Sequence, residues 1–445
     1  MERCFKNLLL ILLISVFFSD WGFFIRKGNR PILSFPEVLV IIFCGVWLLR
    51  KLLEEKLKIP RESFVFFFLI FGIIISASIG AILNFKNIDK NQHFFGILRF
   101  FFWGIFLFCF FDLAREVYQD INFSRKLWKY YLDFSLLIAI IGIFQYIFYL
   151  VFGKHLNLNP YFQQHWGTYG GYYRATSIFQ EPSFLGVILC PIFIASTNLF
   201  LQSSKVTTLI KTLILFMGIL ASLSLGSFIV IGVFILWQIL TFLIRNFLFF
   251  RISLSKTSFF LLIVVPFIVL LICKLMPRIV FEVRQLANYF SLFNSGGSIA
   301  YSSGIGRVSS YKGFLVILKT SPFFGVGFDQ GEYISTLLNT FFETNTGSGI
   351  FGFIGTSAGI CGVILMFLLF YLIFRGGIQG QNPKLKNISQ LSTLLIVGKA
   401  MVLTLLLEQL IAYGGILNPD FWIPLAFGAL FIKSGYYQIK EEHAK

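Results

Sequence analysis

The sequence predicts an all-α polytopic membrane protein of about twelve transmembrane helices, and three observations carry that prediction. Of 445 residues 57% are hydrophobic and 13% charged, with a mean hydropathy of +0.82. A soluble chain carries about a quarter charged residues, and so little polar surface would not keep this one hydrated. Apolar runs long enough to cross a bilayer recur from end to end, so residues 1–445 read as one membrane domain. Lysine and arginine, finally, alternate between loops in the manner of a multi-pass protein.

The spans are expected near 8–25, 32–49, 63–83, 94–113, 131–152, 182–201, 207–224, 227–244, 257–275, 348–374, 388–413 and 418–433. The first follows Arg3 and Lys6 like a signal peptide. It is succeeded by Ser19-Asp20-Trp21 instead of a small-residue cleavage site, so an uncleaved helix is expected. Around Ser222–Ser227 the apolar run is interrupted, which reads either as two thin helices or as one broken helix. Arg50, Lys51, Arg125, Lys126, Lys205, Arg245, Arg375, Lys384 and Lys440 fall on the side that also holds both termini. That side is expected to be cytoplasmic, in the inner membrane of a bacterium. The formal charge of +17 has the same origin, and no nucleic-acid partner is expected; membrane lipids are.

Two long segments then face outward, 153–181 and 276–347. In the second, Val283, Leu286, Ala287, Phe290 and Phe293 share one face of a helix over 280–293, suited to the membrane interface. Another short helix, from about Val308 to Lys319, is expected to end before Ser321-Pro322. The 59 phenylalanines are read as lipid-facing residues. The six cysteines lack any CxxC spacing and the four histidines any HExxH, so neither disulfides, a metal nor a cofactor is expected.

The most informative segment is Arg174-Ala-Thr-Ser-Ile-Phe-Gln-Glu181-Pro182-Ser183, where the first external loop meets a span. Pro182 suits the first turn of a helix, and Glu181 stands next to the positive end of the helix dipole. A stabilising role accounts for that placement as well as a chemical one. In the chemical reading Arg174 binds phosphate and Glu181 orients or deprotonates an acceptor hydroxyl. Charges inside spans also need partners. Arg99 lies near a helix end, from which it can reach the interface. Lys399 and Glu408 are separated by roughly 180° around one helix and cannot pair with each other.

The order Arg174-x-x-x-x-Phe179-x-Glu181-Pro182-Ser183-x-x-Gly186 resembles a segment of Wzy-type O-antigen and exopolysaccharide polymerases, whose usual glycine is replaced here by Ser177. Downstream, Gly306-Arg307, Tyr311, Ser321-Pro322-Phe-Phe-Gly325-Val-Gly327, Glu343-Thr344-Asn345 and Ala358-Gly359-Ile360-Cys361-Gly362 follow in the order of the O-antigen ligase/polymerase superfamily. The resemblance covers about 174–362. It implies a GT-C-like, metal-independent inverting glycosyltransferase acting on oligosaccharides linked to undecaprenyl pyrophosphate, with a chain-length co-polymerase as partner. Ligases of the superfamily usually carry a histidine near Thr344, so its absence favours a polymerase over a ligase. A transporter is the reading from another class, but the candidate residues cluster in external loops and not at the bilayer midplane. On this reading Arg174, Glu181 and Arg307 are catalytic, while Arg278, Arg284, Tyr311, Asn345 and Glu408 bind substrate. Guanidinium groups suit the task because a departing pyrophosphate develops negative charge.

Overall fold

The computed structural model describes residues 2–25, 31–54, 59–159, 168–169, 172–249, 303–338, 349–376, 392–411 and 415–444. Among them the chain is almost entirely helical: α1 (Glu2–Ser15), α2 (Phe35–Leu53), α3 (Arg61–Leu83), α4 (Lys90–Val117), α5 (Ile121–Phe152), α6 (Pro182–Ser203), α7 (Val206–Ser222) and α8 (Leu225–Phe249). Then come α9 (Ser303–Thr320), α10 (Gly331–Leu338), a π-helical turn Ile350–Gly355 leading into α11 (Thr356–Arg375), α12 (Thr393–Leu410) and α13 (Pro419–Ala444). Six of the helices, α3, α4, α5, α6, α11 with its π turn, and α12, are long and apolar enough to cross a membrane. The chain is therefore an all-α multi-pass membrane protein. The expected helices over 257–275 and 280–293 lie outside the described residues.

Where helix ends are legible, capping sets them. Asp89 accepts from the amides of Asn91 and Gln92 and starts α4, and Asp120 accepts from Phe123 and starts α5 ten residues ahead of the expected span. Ser34 and Glu37 form a capping box at α2, with Pro36 in its first turn. The first expected span, 8–25, is shorter than predicted. Helix ends at Phe18, and Gly22–Ile25 (β1) pairs antiparallel with Pro31–Ser34 (β2). Aromatic and β-branched residues in Gly22-Phe23-Phe24-Ile25 suit a strand as well as an apolar helix, which is why hydropathy alone misjudged it. The interruption near Gly226 resolves as two helices: Leu223, in the left-handed region (φ 44°), turns α7 into α8 with Ser224.

Phenylalanine is not only a lipid-facing residue here. Phe17, Phe43, Phe66, Phe100, Phe106, Phe110 and Phe111 are among the largest fully buried side chains. Phe66 stacks on Phe111 at 4.2 Å, and Phe100 meets Phe328, Phe353 and Trp422 at 5.2, 6.3 and 5.8 Å. Polar groups at the basic side are paired: Lys6 with Asp120 at 2.7 Å, Lys51 with Asp112 at 3.0 Å, and Lys433 with Glu62. Hydrogen bonds from Lys6 and the Phe123 amide outweigh the burial that opposes them and hold Asp120 below the usual carboxylate range. Arg99 lies 3.8 Å from Glu37, and Lys399 sits over the rings of Phe374 and Tyr436 at 5.3 and 5.4 Å.

The motif segments 321–327 and 358–362 meet in the middle of the fold. Helix α11 is broken at Gly359 (φ 64°), which frees carbonyls and amides that a continuous helix would pair. The amides of Val326 and Gly327 donate to Thr356 O and Ser357 O, both at 3.0 Å, while those of Ile360 and Cys361 donate to Pro322 O and Phe323 O. Ser76 of α3 closes the seam by donating to Ala358 O at 2.8 Å. These five bonds answer inside the protein groups that the break takes out of the helix. A Cβ at Gly359 would lie 2.4 Å from the Phe323 backbone, as well as requiring the left-handed conformation. Gly359→Ala is expected to lower stability by roughly 2 kcal/mol or more, read as a lower thermal unfolding midpoint in detergent. Gly45→Ala, where nothing lies within 4 Å, serves as the neutral comparison.

Candidate functional site

The segment that carries Arg174 and Glu181 is a built turn, fixed from three sides. Ala175 donates its amide to Ala221 O at 2.9 Å, latching the segment onto the last turn of α7. Buried Gln145 of α5 holds Ser177 by both ends of its amide: Ser177 N donates to Gln145 Oε1 at 2.6 Å, and Gln145 Nε2 donates to Ser177 O at 2.8 Å. The Ser177 hydroxyl donates to Ile138 O at 2.9 Å. Next, Ile178 O accepts from Trp21 Nε1 and Asn159 Nδ2, and Gln180 N donates to Asp20 Oδ2 at 2.8 Å. Phe179 is fully buried beneath. The chain thereby reaches Glu181 in extended conformation (φ −123°, ψ 143°) and begins α6 at Pro182.

Ser177 has φ 56°. This is the position at which the resembled polymerases carry glycine, and the backbone explains the preference: a left-handed residue suits glycine best. Serine is retained here with its hydroxyl bonded to a helix carbonyl, which offsets part of the conformational cost.

Arg174 donates through Nε to Ser222 O at 3.2 Å, a carbonyl at the C-terminal end of α7, where a cation is favoured by the helix dipole. That bond uses one of the five guanidinium donors. Glu181 is half-buried at the start of α6 and accepts from the Ser183 hydroxyl at 3.1 Å. Beside them Tyr173 stacks on Tyr149 at 4.3 Å with His155 close to both rings. Burial and neighbouring Tyr149 push the Tyr173 hydroxyl up to about 12, so it remains a neutral donor at physiological pH.

Tyr311 of α9 donates its hydroxyl to Leu410 O at the end of α12, and α12 packs along α6. The end of α7 meets the segment leading into α6 through Arg174 and Ser222, so Arg174 and Glu181 share one end of the bundle. Arg307 lies on α9 one turn before Tyr311. Burial holds the Lys312 ammonium, next along the same helix, below its ordinary value. Glu408 does not share the external surface: it is 1% exposed, inside the bundle between α5, α6 and α13. Arg278, Arg284 and Asn345 lie outside the described residues. Gln145, Asp20, Trp21 and Asn159, which position the turn, were not picked out from sequence as site residues. The usable signal for Gln145 was a lone amide in the apolar run Ile143-Phe144-Gln145-Tyr146.

Comparison with protein-family profiles and with curated proteins finds no significant match to this chain.

Gln145→Leu leaves a buried N–H and C=O without partners and is expected to cost about 3 kcal/mol. Ser177→Gly exchanges a hydrogen bond for relief of the left-handed backbone and is expected to stay within about 1 kcal/mol of wild type. Thermal unfolding of the purified variants measures both.

Proposed function

We propose that this protein joins lipid-linked oligosaccharide repeat units into a surface polysaccharide, as a metal-independent inverting glycosyltransferase at the outer face of a bacterial inner membrane. The proposal includes about twelve spans, both termini in the cytoplasm, undecaprenyl-pyrophosphate-linked glycans as substrates and a chain-length co-polymerase as partner. The observation that supports it best is the rigid turn 174–181, which carries a cation and a carboxylate at one end of a membrane-embedded bundle. A hydroxyl of the acceptor glycan gives its proton to Glu181 and attacks the anomeric carbon of the donor. The bond from that carbon to the pyrophosphate oxygen breaks, and Arg174 and Arg307 take up the charge that collects on the leaving group. Tyr173, Tyr149 and Tyr311 supply stacking and hydroxyl groups for sugars. A ligase would use the same donor chemistry with a different acceptor. The transporter alternative draws support from one feature, the buried carboxyl of Glu408.

Purified protein in nanodiscs, given the cognate undecaprenyl-pyrophosphate unit, is expected to form a ladder stepping by one repeat. Arg174→Ala is expected to abolish it and Glu181→Gln to slow it by about 10²-fold or more, with both variants still folded. Arg307→Lys is expected to shorten the chains, since lysine cannot make bidentate phosphate contacts. A normal ladder from Arg174→Ala would remove the proposed role of that arginine. Transfer only to an added core acceptor would mean a ligase, and no transfer with uptake into vesicles a transporter.

A further inference from the structure

The bundle contains a carboxyl group that its own packing leaves unanswered. Glu408 lies in the last turn of α12, and among the described residues neither of its oxygens has a hydrogen-bond partner. Gln409, next along the helix, is 2% exposed, and its Oε1 lacks a partner as well. Of the titratable groups on helices packed against α12, three bear on Glu408: Asp420 from α13, Tyr131 from α5 and Cys190 from α6. Helices α8 and α11 bring none that acts on it among the described residues. Lys399, the cation on the same helix, is turned to Phe374 and Tyr436. Cys190 lies about 12 Å along α6 from its start, which sets this cluster well below the turn that carries Glu181.

An ionised carboxylate buried in such a place would have no donor among the described residues, and a second acid in range would repel it. Binding a proton removes both penalties and turns an acceptor-only group into a donor. We propose that Glu408, with Asp420 beside it, is a proton-binding site inside the bundle, holding a single proton as a carboxylic acid at neutral pH. The step is the addition of one proton to one carboxylate, with no other bond made or broken. Two residues beyond Glu408, Leu410 O accepts from the hydroxyl of Tyr311 on α9. The inference stands independently of the glycan reading.

The test uses the full chain in lipid nanodiscs and dicyclohexylcarbodiimide, a membrane-permeant reagent that adds to protonated carboxyls in apolar surroundings. Peptide mass spectrometry is expected to find the adduct on Glu408 at neutral pH, to fall at least tenfold at strongly alkaline pH, and to vanish in Glu408→Gln. Infrared spectra of the wild type are expected to carry a carboxylic-acid carbonyl band that titrates away over the same range. This keeps the test valid if the variant fails to fold. No adduct and no such band in the folded wild type would overturn the proposal. Labelling suppressed by sodium at constant pH would overturn it in favour of a metal-cation site.

Discussion

Away from water, a backbone N–H or C=O that leaves a helix has to find its hydrogen bond inside the protein. Two non-helical passages of this fold show how that constraint is met. Around Gly359 the broken helix and the segment 322–327 satisfy each other as two strands would, carbonyl for amide. Around Ser177 there is no second strand, and side chains from three separate places (Gln145, Asn159 and the Asp20-Trp21 pair) take its part. The first device lets two distant sequence motifs meet. The second fixes the direction in which the chain arrives at Glu181. Both are made of groups that would be costly to bury singly and are stabilising as a closed set.

The same logic separates the polar residues that serve the fold from those left over for chemistry. Lys51, Asp112, Lys433 and Glu62 are paired, and Lys399 is covered by aromatic rings. Arg174 uses part of its bonding capacity on the end of α7, and Glu181 accepts from a serine two residues away. These two are anchored at an end of the bundle, each held by its neighbours in the fold. Glu408 stands apart, since it is enclosed and, among the described residues, no hydrogen bond reaches its oxygens.

Hydropathy made most of the helices legible, because eighteen or more apolar residues have few other uses. It read less well where length and pattern conflict. Phe23-Phe24-Ile25 suits a strand as much as a helix, and the start of α5 is set by the Asp120 cap and its ion pair with Lys6, outside the apolar window. At the candidate site the sequence exposed the residues that carry charge, Arg174 and Glu181, but hid those that aim them. Gln145 lies 32 positions from Ser177 and Asp20 lies 160 from Gln180, separations at which no local pattern survives. Ser177 is the instructive case: nothing in its residue type announces the left-handed backbone (φ 56°) that it adopts.

The ion pair between Glu62 and Lys433 has a bearing on biogenesis. Its members are 371 positions apart, one at the start of α3 and the other on the last helix. At about 5–20 residues per second, ribosomal synthesis separates their emergence by roughly 20 to 70 seconds. Throughout that interval the carboxylate of Glu62 has to be kept at the lipid headgroups or shielded by an insertase, because its cation does not yet exist. The bundle therefore closes last at α13. A chain stalled or truncated before Lys433 would leave the Glu62 carboxylate in the first turn of α3 without this cation.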